Sequence, residues 1–249
     1  MARPVVIGII PARLDSARLP GKALRQVKGR SLIDYVIARA QRIPNLDALV
    51  VATTDRPLDD PLAEYVASQG MAVYRGESSD LALRLLNCTR DFKGDYLVRL
   101  NGDSPFLDPA LIGEGIEYCR NGVPDLVTNL PGRTFPYGIS VEVLRVATLR
   151  RVYTYMALPK YRENVTKYFY DHLQDFEIVA MQSPLKELAD ARLVVDTEAD
   201  FTMFETIVEE FGDRLERSQY ADIAQLYLNL RQSSSHHAAS RPGASGRCL

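Results

Sequence analysis

Histidine and cysteine are both scarce in this 249-residue chain, with three of each. The cysteines, Cys88, Cys119 and Cys248, stand far apart and form no C-x-x-C pair, which argues against a structural zinc site and against a disulfide framework. Two of the histidines, His236 and His237, fall in "SSSHHAASRPGASGRCL", a polar, small-residue tail that reads as disordered from about residue 232. Only His172 is left to serve as a histidine base, so a serine or cysteine hydrolase triad is disfavoured. No apolar run approaches the ~18 residues of a membrane span. The opening "MARPVVIGIIPAR" turns charged too soon for a signal peptide, and the cytoplasm is the expected address. A large excess of one charge is missing as well: the net charge is −2, which excludes a broadly electrostatic nucleic-acid binder. Any handling of anions must be local.

What is present is an ordinary globular balance, with 46% apolar and 25% charged residues, in a length that suits one large domain. Buried strand-like runs ("VVIGII", "ALVVAT", "MAVYR", "DYLVRL") alternate with amphipathic helical patterns over 31–42, 59–69, 78–90 and 108–121. Ser31 with Asp34 three residues on has the spacing of a capping box, and Asp108 with Pro109 marks another helix start. This alternation predicts an α/β fold with a mostly parallel sheet and flanking helices. After residue 123 the rhythm changes. Two strand-like runs over 125–144 lead into a cationic, tyrosine-rich helical stretch over 149–174, then the strands "FEIVAMQ" and "RLVVD" and helices at 198–211 and 218–231. The reading is a single domain over 1–231 with an arm or lid at about 131–175.

Three features fall at strand ends, where ligands bind in such sheets. "IIPARLDSARLPGKAL" sets Arg13, Arg18 and Lys22 around a Pro-Gly turn just past the first strand. It is neither a Walker A loop nor a G-x-G-x-x-G, yet its cations and backbone N–H groups suit a polyphosphate; a solvated basic loop is the other reading. "NGDSP" places Asp103 after "DYLVRL", and Asp196 ends "RLVVD". Each aspartate suits Mg²⁺, and each equally suits an Asx-turn or a helix cap. Two carboxylates from different strand ends facing a cationic loop suggest metal-assisted phosphoryl or nucleotidyl transfer.

In order, "IIPARLDSARLPGKAL", "VVATTDRPLDDPL", "VYRGESSDLALR", "VRLNGDSPFLDP", "RTFPYGISVEVL", "ENVTKYF" and "VVDTEADF" resemble the cytidylyltransferase superfamily. Its members include the 3-deoxy-manno-octulosonate and acylneuraminate cytidylyltransferases, and the likeness is strongest to the branch named after the spore-coat polysaccharide protein SpsF. The resemblance implies a Rossmann-like nucleotidyltransferase fold of the nucleotide-diphospho-sugar transferase type. It implies transfer of CMP from CTP to a sugar acid or related acidic acceptor, with loss of pyrophosphate, in surface polysaccharide or glycan assembly. Arg13, Ser16, Arg18 and Lys22 would hold the triphosphate, and Asp103 and Asp196 would hold Mg²⁺; Arg13, Lys22, Asp103 and Asp196 are the catalytic candidates. Thr54, Arg75 and Gly76 fall where relatives build the base and ribose contacts, and Arg133, Asn164 and Lys167 where they build the acceptor site.

Departures lie in the acceptor half: Asn164 stands where a histidine is expected, and Tyr137 and Ser140 where acidic residues are expected. They leave open another nucleotide, a non-sugar acceptor such as a phosphonate, or a homologue that binds nucleotide without chemistry. Lys160 and Arg162 could face an acidic acceptor or form a charged helix face, and Phe135, Tyr137 and Phe169 could line its pocket. The tyrosines over 153–170 suit a subunit interface, and relatives are dimers, so a homodimer is expected. Nucleic acid and membrane are not expected as partners.

Overall fold

The computed structural model describes residues 3–239. Its centre is built from the predicted strands. β1 (Val6–Pro11) lies between β4 (Ala48–Thr54) and β6 (Tyr96–Arg99), β5 (Ala72–Gly76) pairs with β4, and all these pairings are parallel. Beyond β6 the sheet continues through β8 (Glu142–Arg145), β7 (Leu126–Thr128) and β9 (Ile178–Ala180), giving the order β5-β4-β1-β6-β8-β7-β9. β8 runs antiparallel to both of its neighbours, so the sheet is mostly parallel, as expected. A short antiparallel ribbon, β2 (Gln26–Val27) and β3 (Arg30–Ser31), stands apart from it.

The period of two along β1 sorts its side chains between two cores. Val6 and Ile10 pack with residues of α1 (Leu32–Ala40), α2 (Asp60–Ser68) and α4 (Pro109–Asn121). Ile7 and Ile9 pack on the other face, with α3 (Leu81–Asp91), α5 (Val146–Tyr153) and Phe169 of α7 (Lys167–Asp171). A third cluster joins the outer side of α1 to α8 (Glu198–Phe211) and α9 (Tyr220–Ala239). Both expected helix starts are in place. Ser31 Oγ accepts from Asp34 N while Asp34 accepts from Ser31 N, and Asp108 accepts from Leu111 N at 3.0 Å.

Four expectations need correction. "RLVVD" is not a strand: residues 192–196 lie off the sheet, with Leu193 and Val195 buried in the third cluster. Their backbone N–H groups donate to Tyr137 O at 2.6 Å and Asp103 O at 2.8 Å. The helical stretch 149–174 is broken, because Pro159 holds Leu158 extended and restarts the chain as the short α6 (Pro159–Glu163). Nor is 131–175 one appendage. β8 is inserted in the sheet with Glu142, Val143 and Leu144 buried, and α5 packs against the core. Finally, α9 continues past residue 231 to Ala239, so part of the tail expected to be disordered is helical; residues 240–249 lie outside the described residues.

Candidate functional site

The loops after β1, β5 and β6, with residues 192–196, border one cleft of about 1170 Å³. The loop after β1 is closed by a bond from Gly21 N to Leu14 O at 2.8 Å and anchored by the buried Leu19. Gly21 takes a φ of 70°, which its lack of a Cβ permits, and this turn brings Lys22 back over the sheet. Gly102 answers it from the loop after β6. A Cβ there would stand 2.7 Å from the Pro11 carbonyl oxygen, so only glycine lets the two loops close on each other and carry Asp103 to Lys22.

Lys22 is the hub. Its Nζ donates to Asp103 Oδ2 at 2.8 Å, to Asp196 Oδ1 at 2.9 Å and to Val195 O at 2.8 Å. Arg18 reaches Asp196 Oδ2 at 2.8 Å, and Arg192 approaches the same oxygen at 3.3 Å. Burial works to raise the Asp196 carboxyl, but the Lys22 hydrogen bond and the charges of Lys22, Arg18 and Arg192 outweigh it and hold the group below the ordinary aspartate range. The bond from Val195 N to Asp103 O ties the two aspartate segments together, which is why their carboxylates converge. Among the described residues no three His, Cys, Asp or Glu side chains cluster as a metal site. Asp103 and Asp196 are the pair that could hold a divalent cation, with the remaining ligands drawn from phosphate oxygens and water.

Arg13 and Ser16 line the cleft beside Lys22. Asp15 bridges Arg13 at 3.2 Å and Arg56 at 2.7 Å, and its hydrogen bond with Arg56 lowers the Asp15 carboxyl. The six residues expected around triphosphate and metal are therefore brought together. Those expected for the base are not. Thr54 is buried and donates to Asp59, while Arg75 ties Thr54 O at 3.1 Å and Arg56 O at 3.0 Å. Thr54, Arg75 and Gly76 shape the loop ends from behind, and the cleft is lined there by Arg56, Ser78, Ser79 and Arg84.

Arg133, Tyr137, Lys160, Asn164 and Lys167, the first and last two of them expected at the acceptor site, also line the cleft. Tyr137 is flanked by two guanidiniums, Arg133 at 4.7 Å and Arg192 at 4.8 Å from its ring centre. Deeper lies a network that the sequence reading missed. The fully buried Glu142 pairs with Arg99 and accepts from Tyr170 at 3.0 Å. Burial pushes the Tyr170 phenol up, so it stays a donor. Phe135 and Phe169 are core residues away from the cleft. Arg162 is drawn to Asp80 at 2.9 Å, and His172 stacks on Tyr168 at 4.3 Å with its ring bonded to Tyr168 O. The one signal for the missed residues was an ionisable side chain inside an apolar period: Glu142 within "ISVEVL", Arg84 within "LALRLL".

Comparison with known proteins gives the family. Residues 7–236 match the cytidylyltransferase family. The spore coat polysaccharide biosynthesis protein SpsF of Bacillus subtilis is 31% identical over 215 residues, covering 84% of this chain and 88% of that one. A 3-deoxy-manno-octulosonate cytidylyltransferase of Trichlorobacter lovleyi is 34% identical over 113 residues, covering 45% and 44%. Among solved structures, a cytidylyltransferase from Leptospira borgpetersenii superposes with a TM-score of 0.85 at 25% identity, covering 91% of this chain and 95% of that one. The chain belongs to the cytidylyltransferase family.

Proposed function

We propose that this cytidylyltransferase transfers CMP from CTP to a hydroxyl of a sugar acid or related acidic acceptor, releasing pyrophosphate, with Mg²⁺ bound by Asp103 and Asp196. The observation that carries the reading is the Lys22–Asp103–Asp196 cluster beside Arg13, Ser16 and Arg18 in one cleft. Asp103 Oδ2 and Asp196 Oδ1 stand 2.8 and 2.9 Å from one nitrogen, so a cation already sits between two hard oxygen donors, and the pair fits Mg²⁺. When bound, the ion polarises the α-phosphoryl oxygen and lowers the pKa of a coordinated hydroxyl.

The chain's own part is orientation and charge. Arg13, Ser16 and Arg18 hold the β- and γ-phosphates, so that the bridging oxygen leaves opposite the attacking hydroxyl. The hydroxyl oxygen bonds to the α-phosphorus, the α–β bridging P–O bond breaks, and the hydroxyl proton passes to solvent. Lys22 and Arg18 neutralise the charge that builds on the departing pyrophosphate. Cationic side chains elsewhere in the cleft lining, Arg133, Lys160 and Lys167, favour an acceptor carrying an anionic group.

The test is Asp103→Asn, with folding checked by circular dichroism and pyrophosphate release assayed with Mg²⁺, CTP and a panel of sugar acids. Turnover is expected to fall about a hundredfold or more. Turnover near the wild-type level would remove Asp103 from the metal site.

A further inference from the structure

Arg84 is 4% exposed, and its Nε and Nη1 are enclosed with no hydrogen-bond partner among the described residues. It nonetheless lines the cleft. Enclosed N–H donors left unmet are costly, and guanidinium donors especially so. Burial lowers its pKa, as does the nearby charge of Arg13, while Asp59 opposes them through space. Counter-charge is thus present in part, and what Arg84 lacks is acceptors.

Its place in the fold says which end of a nucleotide would meet it. Arg84 stands on α3, reached through β5, whereas Lys22 follows β1 and Asp103 follows β6. α3 packs on the sheet face over β5, β4 and β1, the side of the strand order away from β6 and Asp103, with the charges of Arg13 and Arg56 close to Arg84. Ser78, Ser79 and Leu81, before and at the start of α3, line the same cleft and bring small hydroxyls and apolar carbon suited to a flat heterocycle. Gly76 lies behind Arg84: a Cβ there would stand 2.8 Å from Tyr74 Cε1 and 3.4 Å from Arg84 Cγ.

We propose that Arg84 is a specificity-determining residue that reads the pyrimidine base through acceptors on its ring edge. Arginine only donates, and cytosine presents two adjacent acceptors, N3 and O2. Uracil carries a hydrogen on N3, so one guanidinium N–H would face another donor. A buried donor left unmet is what gives such a site its selectivity. The inference rests on the CTP reading above.

The experiment is calorimetric titration of the whole chain in Mg²⁺, without acceptor, using CTP, UTP and inorganic tripolyphosphate in turn. The wild type is expected to prefer CTP. Arg84→Met should lose about tenfold to a hundredfold in CTP affinity, much less for UTP and nothing for tripolyphosphate. Arg84→Lys, which keeps the charge but not the planar donor set, should lose CTP preference as well. The ligand-free Arg84→Met protein should unfold no lower than wild type, because an enclosed, unpartnered cation is removed. A structural guanidinium would give the opposite. Equal losses for all three ligands would make Arg84 a phosphate ligand and overturn the proposal, as would a variant that keeps its CTP preference. A wild type that binds tripolyphosphate but shows no preference for CTP would overturn the CTP reading too, and the variant data would tell the two failures apart.

Discussion

Lys22 directs its ammonium at three acceptors, two of them the carboxylates a divalent cation would need. A divalent cation held as proposed would compete with the ammonium for Asp103 and Asp196 until a triphosphate offered Lys22 other oxygens. Replacing Lys22 with Met should raise Mn²⁺ affinity about tenfold in the absence of nucleotide, since charge-assisted bonds no longer need to be exchanged. The same change should lower turnover about 10²–10³-fold by removing a cation aimed at developing charge. Manganese titration followed by electron paramagnetic resonance reads the first effect, and unchanged affinity would show that the two cations do not share the place. At this scale the loop after β1 was legible as a candidate site because Arg13, Arg18 and Lys22 sit around a Pro-Gly turn that hydrophobic packing does not require. Arg84 and Glu142 were not, because each stands inside an apolar period that reads as core, and burial alone does not reveal whether a side chain also borders a cleft.

Elements meet at points that a strand-and-helix reading does not see. The loops after β1 and β6 touch backbone to backbone at Gly102, whose added Cβ would crowd the Pro11 carbonyl oxygen. Gly102→Ala should destabilise the chain by about 1–3 kcal/mol through overpacking, since backbone atoms give way less readily than side chains. Because the clash lies one residue before Asp103, pyrophosphate release should fall further than the loss of stability accounts for. Gly21→Ala serves as a contrast: its Cβ would meet nothing within 4 Å, and only the positive φ works against it. Urea unfolding beside turnover separates the two, and a Gly102→Ala enzyme as active as wild type would mean that the loops have slack. The parallel strands β1, β4, β5 and β6 were legible from apolar runs alternating with helices. Segment 192–196 was not, because its period suits a strand while its partners, Tyr137 and Asp103, are contacts distant in sequence.

Across the whole molecule, one sheet carries two cores on its faces and gathers the cleft-lining loops at the carboxyl ends of its parallel strands. That collection followed from the parallel α/β rule, so the location of the site was available before its contents were. The part of the cleft expected to take the acceptor resisted because its residues come from the loop between β7 and β8, from β8 and from α6 and α7, which no single stretch of sequence brings together. The same geometry makes nucleotide binding a global event. A bound CTP would join the loop after β1 to the loops after β5 and β6 and to Asp196, so unfolding any of these elements would lose the ligand. At one hundred times its dissociation constant a ligand of the native state adds about 2.7 kcal/mol. In a domain of this size that is a rise of roughly 5–10 °C in the unfolding midpoint. Thermal unfolding with Mg²⁺ and CTP should show this as one sharp transition moved upward, and UTP, ATP and GTP should move it less. A second, unshifted transition would mean that the loops bind nucleotide without coupling to the cores. No shift with any nucleotide would leave the Lys22–Asp103–Asp196 cluster as an internal ion network with no part in binding CTP.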